Sequence, residues 1–291
     1  MITVEDLVYT YPGAPAPTVR GISFEIADGE IFGFLGPSGA GKSTTQKVLT
    51  RLLPGFQGRV EVMGKPLTSW GADYFARIGV SFESPNHYLK LTARENLSYF
   101  RSLYEGPCEE VETVLAWVDL QEHIDKRVGD YSKGMKNRLN FARSLLHRPK
   151  LWFLDEPTAG LDPVNARRVQ ELVRQRRREG ITTFLTTHDM HIASELCDRV
   201  AFIVDGTLEV VDAPAALRKA YGKREVELTY TTGDPEDPER AIESRRFPLD
   251  GLAEQGEFQR LLRETRVETL HSQETTLEDV FIQVTGRSLR S

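Results

Sequence analysis

Apolar and polar positions alternate along Ile2–Val8 and again along Gly21–Ile26, the period of half-buried strands, and Tyr11-Pro12-Gly13 between them supplies a turn. The chain is therefore expected to open as β-structure. Glu30–Leu35 (EIFGFL) is mostly apolar and aromatic, as strands buried in a sheet are, and a glycine-rich turn and a helix over Lys42–Leu53 follow it. From about Pro85 to Arg148 the pattern is mainly helical, including Ala93–Tyr104, Glu109–Val118 and Lys133–His147. Strand and helix then alternate, with strands at Leu151–Leu154, Thr182–Thr187 and Val200–Val204 and helices beginning near Val164 and Met190. Buried strands flanked by helices predict a parallel sheet covered on both faces.

After Asp212 the composition shifts. APAALRKAYGKRE reads as a helix and a joint, and TTGDPEDPE as a polar, proline-containing loop. A boundary is expected near residue 222, giving a first domain over 1–221, with its helical insertion at about 86–148, and a second over 222–291. In the second, Glu225–Tyr230 alternates as a strand, while Glu257–Arg266 and Thr276–Val284 suit helices, Thr276 and Asp279 forming a capping pair. This part reads as a small α+β appendage.

At 291 residues, with 40% hydrophobic and 27% charged positions, the chain can bury a sizeable core and has the composition of a globular protein. A membrane helix needs roughly 20 mainly apolar residues. The longest uncharged run, Leu7–Val19, is shorter than that and broken by prolines. The N-terminus MITVEDLVYTYPG lacks the basic and apolar regions of a secretory signal, so a cytoplasmic location is expected. Cys108 and Cys197 have no metal-site or disulfide spacing. A net charge of −6 argues against nonspecific nucleic-acid binding. The basic run Arg174, Arg176, Arg177 and Arg178 is the exception, and reads as the solvated end of a helix closing before Gly180.

Two segments carry chemistry. Gly36-Pro37-Ser38-Gly39-Ala40-Gly41-Lys42-Ser43-Thr44 matches a phosphate loop and lies between a predicted strand and helix. Its glycines let backbone N–H groups turn toward phosphate oxygens, and the helix adds its positive end. Lys42 is expected to reach the β- and γ-phosphates, and the Ser43 hydroxyl to hold Mg²⁺. The apolar strand Leu151–Leu154 ends in Asp155 and Glu156. Two acids after a strand are often a turn, but with a phosphate loop upstream they complete a nucleotide site. Successive strand residues face opposite ways, so Asp155 is assigned to Mg²⁺ and Glu156 to polarising the attacking water.

Tyr131-Ser132-Lys133-Gly134-Met135 resembles the signature motif of ATP-binding-cassette (ABC) ATPases. Ala159-Gly160-Leu161-Asp162 and Thr186-Thr187-His188-Asp189 resemble that family's D-loop and switch histidine. The resemblance covers residues 1 to about 215. It implies a P-loop NTPase (RecA-like) α/β core with an N-terminal antiparallel β-subdomain and a helical insertion. It also implies ATP and Mg²⁺ as ligands and a homodimer that sandwiches two ATPs. Each γ-phosphate would then meet Lys42 of one copy and Ser132 and Gly134 of the other, with His188 sensing it. Ser132 would equally serve as a plain helix cap. Tyr11 matches the adenine-stacking aromatic, with Tyr9 as the alternative. The family's Q-loop position falls on Glu83, which is expected to keep a metal-binding role or else to be a solvated loop acid. Lys133 and Met135 replace the usual Gly and Gln of the signature.

SFESPNHYLKLTARENL (residues 81–97) and the tail around TLEDVF (276–281) are similar to exporters of the ABC-2 type, the class of daunorubicin-resistance ATPases and a fluoroquinolone-export subfamily. Such a chain would work with separate transmembrane permease subunits at the cytoplasmic face of the membrane. The rival readings are a soluble ABC protein of DNA repair or translation and a small-molecule kinase.

Overall fold

The computed structural model describes residues 1–222, 225–232, 241–273 and 275–287. They form two compact units that divide at Pro214/Ala215, ahead of the joint that the sequence pattern places near residue 222.

The first unit begins with strands β1 (Ile2–Tyr9) and β2 (Val19–Ile26), followed by β3 (Ile31–Leu35), helix α1 (Lys42–Leu49), and strands β4 (Gln57–Val62), β5 (Lys65–Pro66) and β6 (Ile78–Ser81). Helices α2 (Ala93–Arg101), α3 (Val111–Trp117) and α4 (Lys133–Leu145) come next. Then follow β7 (Leu151–Asp155), α5 (Pro163–Arg178), β8 (Thr182–Thr187), α6 (Met190–Leu196), β9 (Arg199–Val204) and β10 (Thr207–Asp212). One sheet has the antiparallel order β2-β1-β4-β5. The other has the order β10-β9-β3-β8-β7-β6, parallel except for β10.

A shared core joins the two sheets. The Phe24 ring of β2 lies 5.5 Å from Phe34 of β3, which lies 5.4 Å from Phe184 of β8. Each such side chain contributes about 1.5–3 kcal/mol by leaving water. β3, β7 and β8 are almost wholly buried, as strands covered on both faces must be. This rigidity holds the carboxyl ends of β3, β7 and β8 in register, and the site is built there.

Three details depart from the sequence reading. α1 ends at Leu49, not Leu53, because the chain turns at Arg51, which takes a left-handed φ of 60°. α2 ends at Arg101, three residues early, although a Thr92–Glu95 capping box fixes its start. Arg176 is not solvated: it is buried, its guanidinium 4.1 Å above the Trp117 ring and 2.8 Å from Glu179. Its aliphatic stem and flat cation let it close the end of α5 from inside.

The second unit contains α7 (Pro214–Tyr221), β11 (Glu225–Thr232), β12 (Ala241–Pro248), α8 (Gly256–Glu264), β13 (Arg266–Gln273) and α9 (Leu277–Thr285). Its antiparallel sheet has the order β12-β11-β13. Val226, Leu228, Tyr230 and Phe247 pack against Phe258 and Leu261 of α8. Thr276 and Asp279 cap α9 reciprocally, and Gly286, at φ 66°, ends it. No helix among the described residues is long and apolar enough to cross a membrane.

Candidate functional site

β3 delivers the chain to Gly36, where only glycine fits: a Cβ there would stand 2.1 Å from the carbonyl oxygen of Ile203 on β9. Gly39 and Gly41 take positive φ, and the loop runs directly into α1. Lys42 folds back over the loop, its Nζ donating to the carbonyls of Gly36 at 2.6 Å and Pro37 at 3.0 Å. Burial lowers the Lys42 pKa, and the carboxylates of Glu156, Asp155 and Glu83 act in the opposite direction.

Asp155 ends β7. Its Oδ1 accepts from the Thr186 hydroxyl and lies 3.5 Å from the Ser43 hydroxyl. Glu156 follows with φ 45°, a left-handed torsion for a residue with a Cβ. Its backbone N–H donates to the Thr186 carbonyl at 2.9 Å. Both carboxylate oxygens are held: Oε1 lies 2.7 Å from His188 Nδ1, and Oε2 accepts from the Thr187 hydroxyl at 2.9 Å. The Glu156 side chain is mostly buried while His188 stands largely in the open.

These groups converge on one cavity of about 290 Å³ lined by Thr18, Ser38, Gly39, Gly41, Lys42, Ser43, Thr44, Glu83, Asp155, Glu156 and His188. Gly36, Pro37 and Ala40 form the turn behind it and are not among the lining residues. Tyr11 is outside the lining as well, but its hydroxyl sits 3.2 Å from Thr44 Oγ1. Tyr9 is buried, edge-on to Tyr11 at 5.1 Å, which removes it as the alternative stacking residue.

Ser132 and Gly134 lie elsewhere. Ser132 caps α4, its hydroxyl accepting from the Met135 N–H at 3.2 Å. The neighbouring Lys133 Nζ would be 3.3 Å from a Cβ on Gly160. The signature-like segment of one chain therefore adjoins its own D-loop-like segment, and neither residue lines the cavity.

Sequence reasoning overlooked Thr18 and Gln46, and gave Thr186 and Thr187, though inside the switch-histidine segment, no role of their own. Gln46 Oε1 lies 3.2 Å from the Thr186 hydroxyl, whose one proton goes to Asp155, and its Nε2 is buried without a partner. The tandem threonines ending an apolar strand were the visible signal, since hydroxyls on a buried strand need partners. No cluster of three or more His, Cys, Asp or Glu among the described residues could hold a metal alone. Ser43 and Asp155, with Glu83 on the same wall, offer a few oxygen ligands. That set fits magnesium, which keeps several waters and substrate phosphates as ligands.

A model of the ABC transporter family matches residues 19–159. The chain is 52% identical, over 99% of its own length and 94% of the relative's, to the fluoroquinolones export ATP-binding protein of Mycobacterium tuberculosis strain H37Rv. The chain belongs to the ABC transporter ATP-binding family. The residues of this ABC cassette's second unit are matched over 224–274 by a model described as the fluoroquinolone efflux ABC transporter C-terminal domain. The cassette is also 37% identical to the Nod factor export ATP-binding protein I of Rhizobium meliloti strain 1021, covering 94% of this chain and 85% of that protein. Its fold is shared with a dimeric ATP-binding cassette solved in a post-hydrolysis state with ADP and Pi (TM-score 0.67, 24% identity, 73% of this chain and 98% of that one). The cassette is the ATP-binding and ATP-hydrolysing subunit of an ABC exporter.

Proposed function

We propose that two copies of this cassette close on two ATPs and drive a separate transmembrane permease at the cytoplasmic face of the membrane. The observation that carries this reading is the convergence of Lys42, Ser43, Asp155, Glu156 and His188 on one cavity, while Ser132 and Gly134 lie away from it. A signature segment that does not line its own chain's cavity is free to meet the nucleotide of a second copy. The dimeric state of the structurally similar ADP- and Pi-bound cassette supports the arrangement.

In this reading the backbone of Gly36–Thr44 cradles the phosphates, with Lys42 turning from the Gly36 and Pro37 carbonyls to the β- and γ-phosphates. Tyr11 stacks on adenine. Ser43, Asp155 and Glu83 are the residues that would hold magnesium, which when bound neutralises charge on the β- and γ-oxygens. Glu156 accepts a proton from the attacking water, and His188 and the partner's Ser132 contact the γ-phosphate. Loss of that phosphate removes these contacts, so the closed pair opens.

The relatives support a reading of the cargo. Identity over nearly the whole chain with a fluoroquinolone exporter, and the matching C-terminal domain, support antibacterial drugs of that class. Glu156→Gln protein given ATP and Mg²⁺ should run as a dimer in size-exclusion chromatography. A strictly monomeric protein, even with its permease present, refutes the sandwich. Coexpression with the membrane partner that co-purifies in detergent should raise tolerance to fluoroquinolones, and Glu156→Gln should abolish the gain.

A further inference from the structure

The carboxylate of Glu156 is held by a neighbour that plays no part in the mechanism above. We propose that Thr187 is a positioning residue, whose buried hydroxyl aims the Glu156 carboxylate at the attacking water; this rests on Glu156 being the group that takes the water's proton.

The hydrogen-bond directions are settled by the groups themselves. The Asp189 N–H donates to Thr187 Oγ1 at 3.0 Å, and an ionised carboxylate can only accept. The single hydroxyl proton of Thr187 therefore points at Glu156 Oε2, 2.9 Å away. Thr187 is 1% exposed, so water does not compete for that proton. The other oxygen, Oε1, is held by His188, whose side chain is 62% exposed. The two tethers are thus unequal. If His188 swings to the γ-phosphate, Thr187 still holds one oxygen and leaves Oε1 open to water. The preceding pair repeats the arrangement. Thr186 stands opposite Asp155 in the parallel β7–β8 register, and its hydroxyl bonds Asp155 Oδ1. Two threonines ending β8 thereby hold Asp155, which ends β7, and Glu156, which follows it, in separate orientations.

The test uses the full-length chain with Thr187→Val and Thr187→Ser, measuring steady-state ATP hydrolysis and, separately, nucleotide affinity with a fluorescent ATP analogue. Misdirection of a base by a fraction of an ångström predicts a kcat lower by roughly 10- to 100-fold in Thr187→Val. KM and nucleotide affinity should stay within about twofold, and Thr187→Ser should restore kcat to within about threefold. In a Glu156→Gln background, Thr187→Val should add nothing further. The proposal is overturned if Thr187→Val keeps kcat within twofold of the parent. It is equally overturned if nucleotide affinity falls along with kcat, or if Ser fails to rescue, because the role is then structural. Should Glu156→Gln itself retain hydrolysis, the assignment of Glu156 as base fails independently of how Thr187 behaves.

Discussion

His188 holds Glu156 through Nδ1 and Oε1 at 2.7 Å. With Glu156 ionised, Nδ1 must carry the proton, so a neutral ring presents a lone pair at Nε2. That lone pair repels a phosphate oxygen. Contact with the γ-phosphate therefore requires a second proton on the ring or release from Glu156. His188→Ala is expected to lower kcat by roughly 100-fold, the scale for loss of one donor to a developing negative charge. Affinity for ADP, which lacks the phosphate that His188 contacts, should change little, and an equal loss for ADP would contradict this role.

Glu83 shares the cavity wall with Asp155 and Glu156. If it supplies a metal oxygen, Glu83→Ala should move the Mg²⁺ concentration for half-maximal hydrolysis upward by roughly tenfold, the lower end of what removing a metal-site group costs. A titration curve superimposable on the parent's would show Glu83 to be a solvated loop acid.

Gly36 and Gly13 make a matched pair of backbone tests. At Gly36 a methyl group meets the Ile203 carbonyl at 2.1 Å, whereas at Gly13, with φ 79°, nothing lies within 4 Å. Gly36→Ala should destabilise by about 1–3 kcal/mol or more through overpacking. Gly13→Ala should show only the left-handed backbone penalty of about 1–2 kcal/mol. Thermal unfolding of both variants reads the difference, and only Gly36→Ala should also weaken ATP binding.

Burial pushes the His87 imidazole down to about 4 from 6.5, with its ring nitrogen Nε2 bonded to the Lys136 carbonyl. His147 is lowered for the same reason. The His87 ring stays neutral when folded until pH nears 4 and takes up a proton on unfolding, so stability falls as pH drops from 6.5 toward 4, and His147 acts in the same direction. His87 alone should account for about 2 kcal/mol between pH 7 and pH 5. Urea unfolding of His87→Gln at the two pH values should show a correspondingly smaller difference than the parent; an equal difference would remove His87 as the cause.

The chemistry was legible because it is local. A strand, a glycine turn and a lysine at a helix start are adjacent in the chain, as are the strand of Leu151–Leu154 and its two acids. What escaped notice depends on partners far apart in sequence. Thr187 and Glu156 are 31 residues apart, and no spacing rule links a threonine on one strand to a carboxylate on the next. Arg176 looked solvated because its neighbours are charged, yet Trp117, on a different helix, covers it. β12 was missed for a related reason. Seven of its eight residues are exposed, so it lacks the apolar alternation that marks a half-buried strand, and its pairing with β11 becomes evident only in three dimensions.

The left-handed torsion at Glu156 sets stability against work. A glycine there would relieve the backbone of an unfavourable conformation worth about 1–2 kcal/mol, but it would also remove the carboxylate that Thr187 and His188 hold. On the proposed mechanism, the strained glutamate exchanges folding free energy for a base aimed at the attacking water.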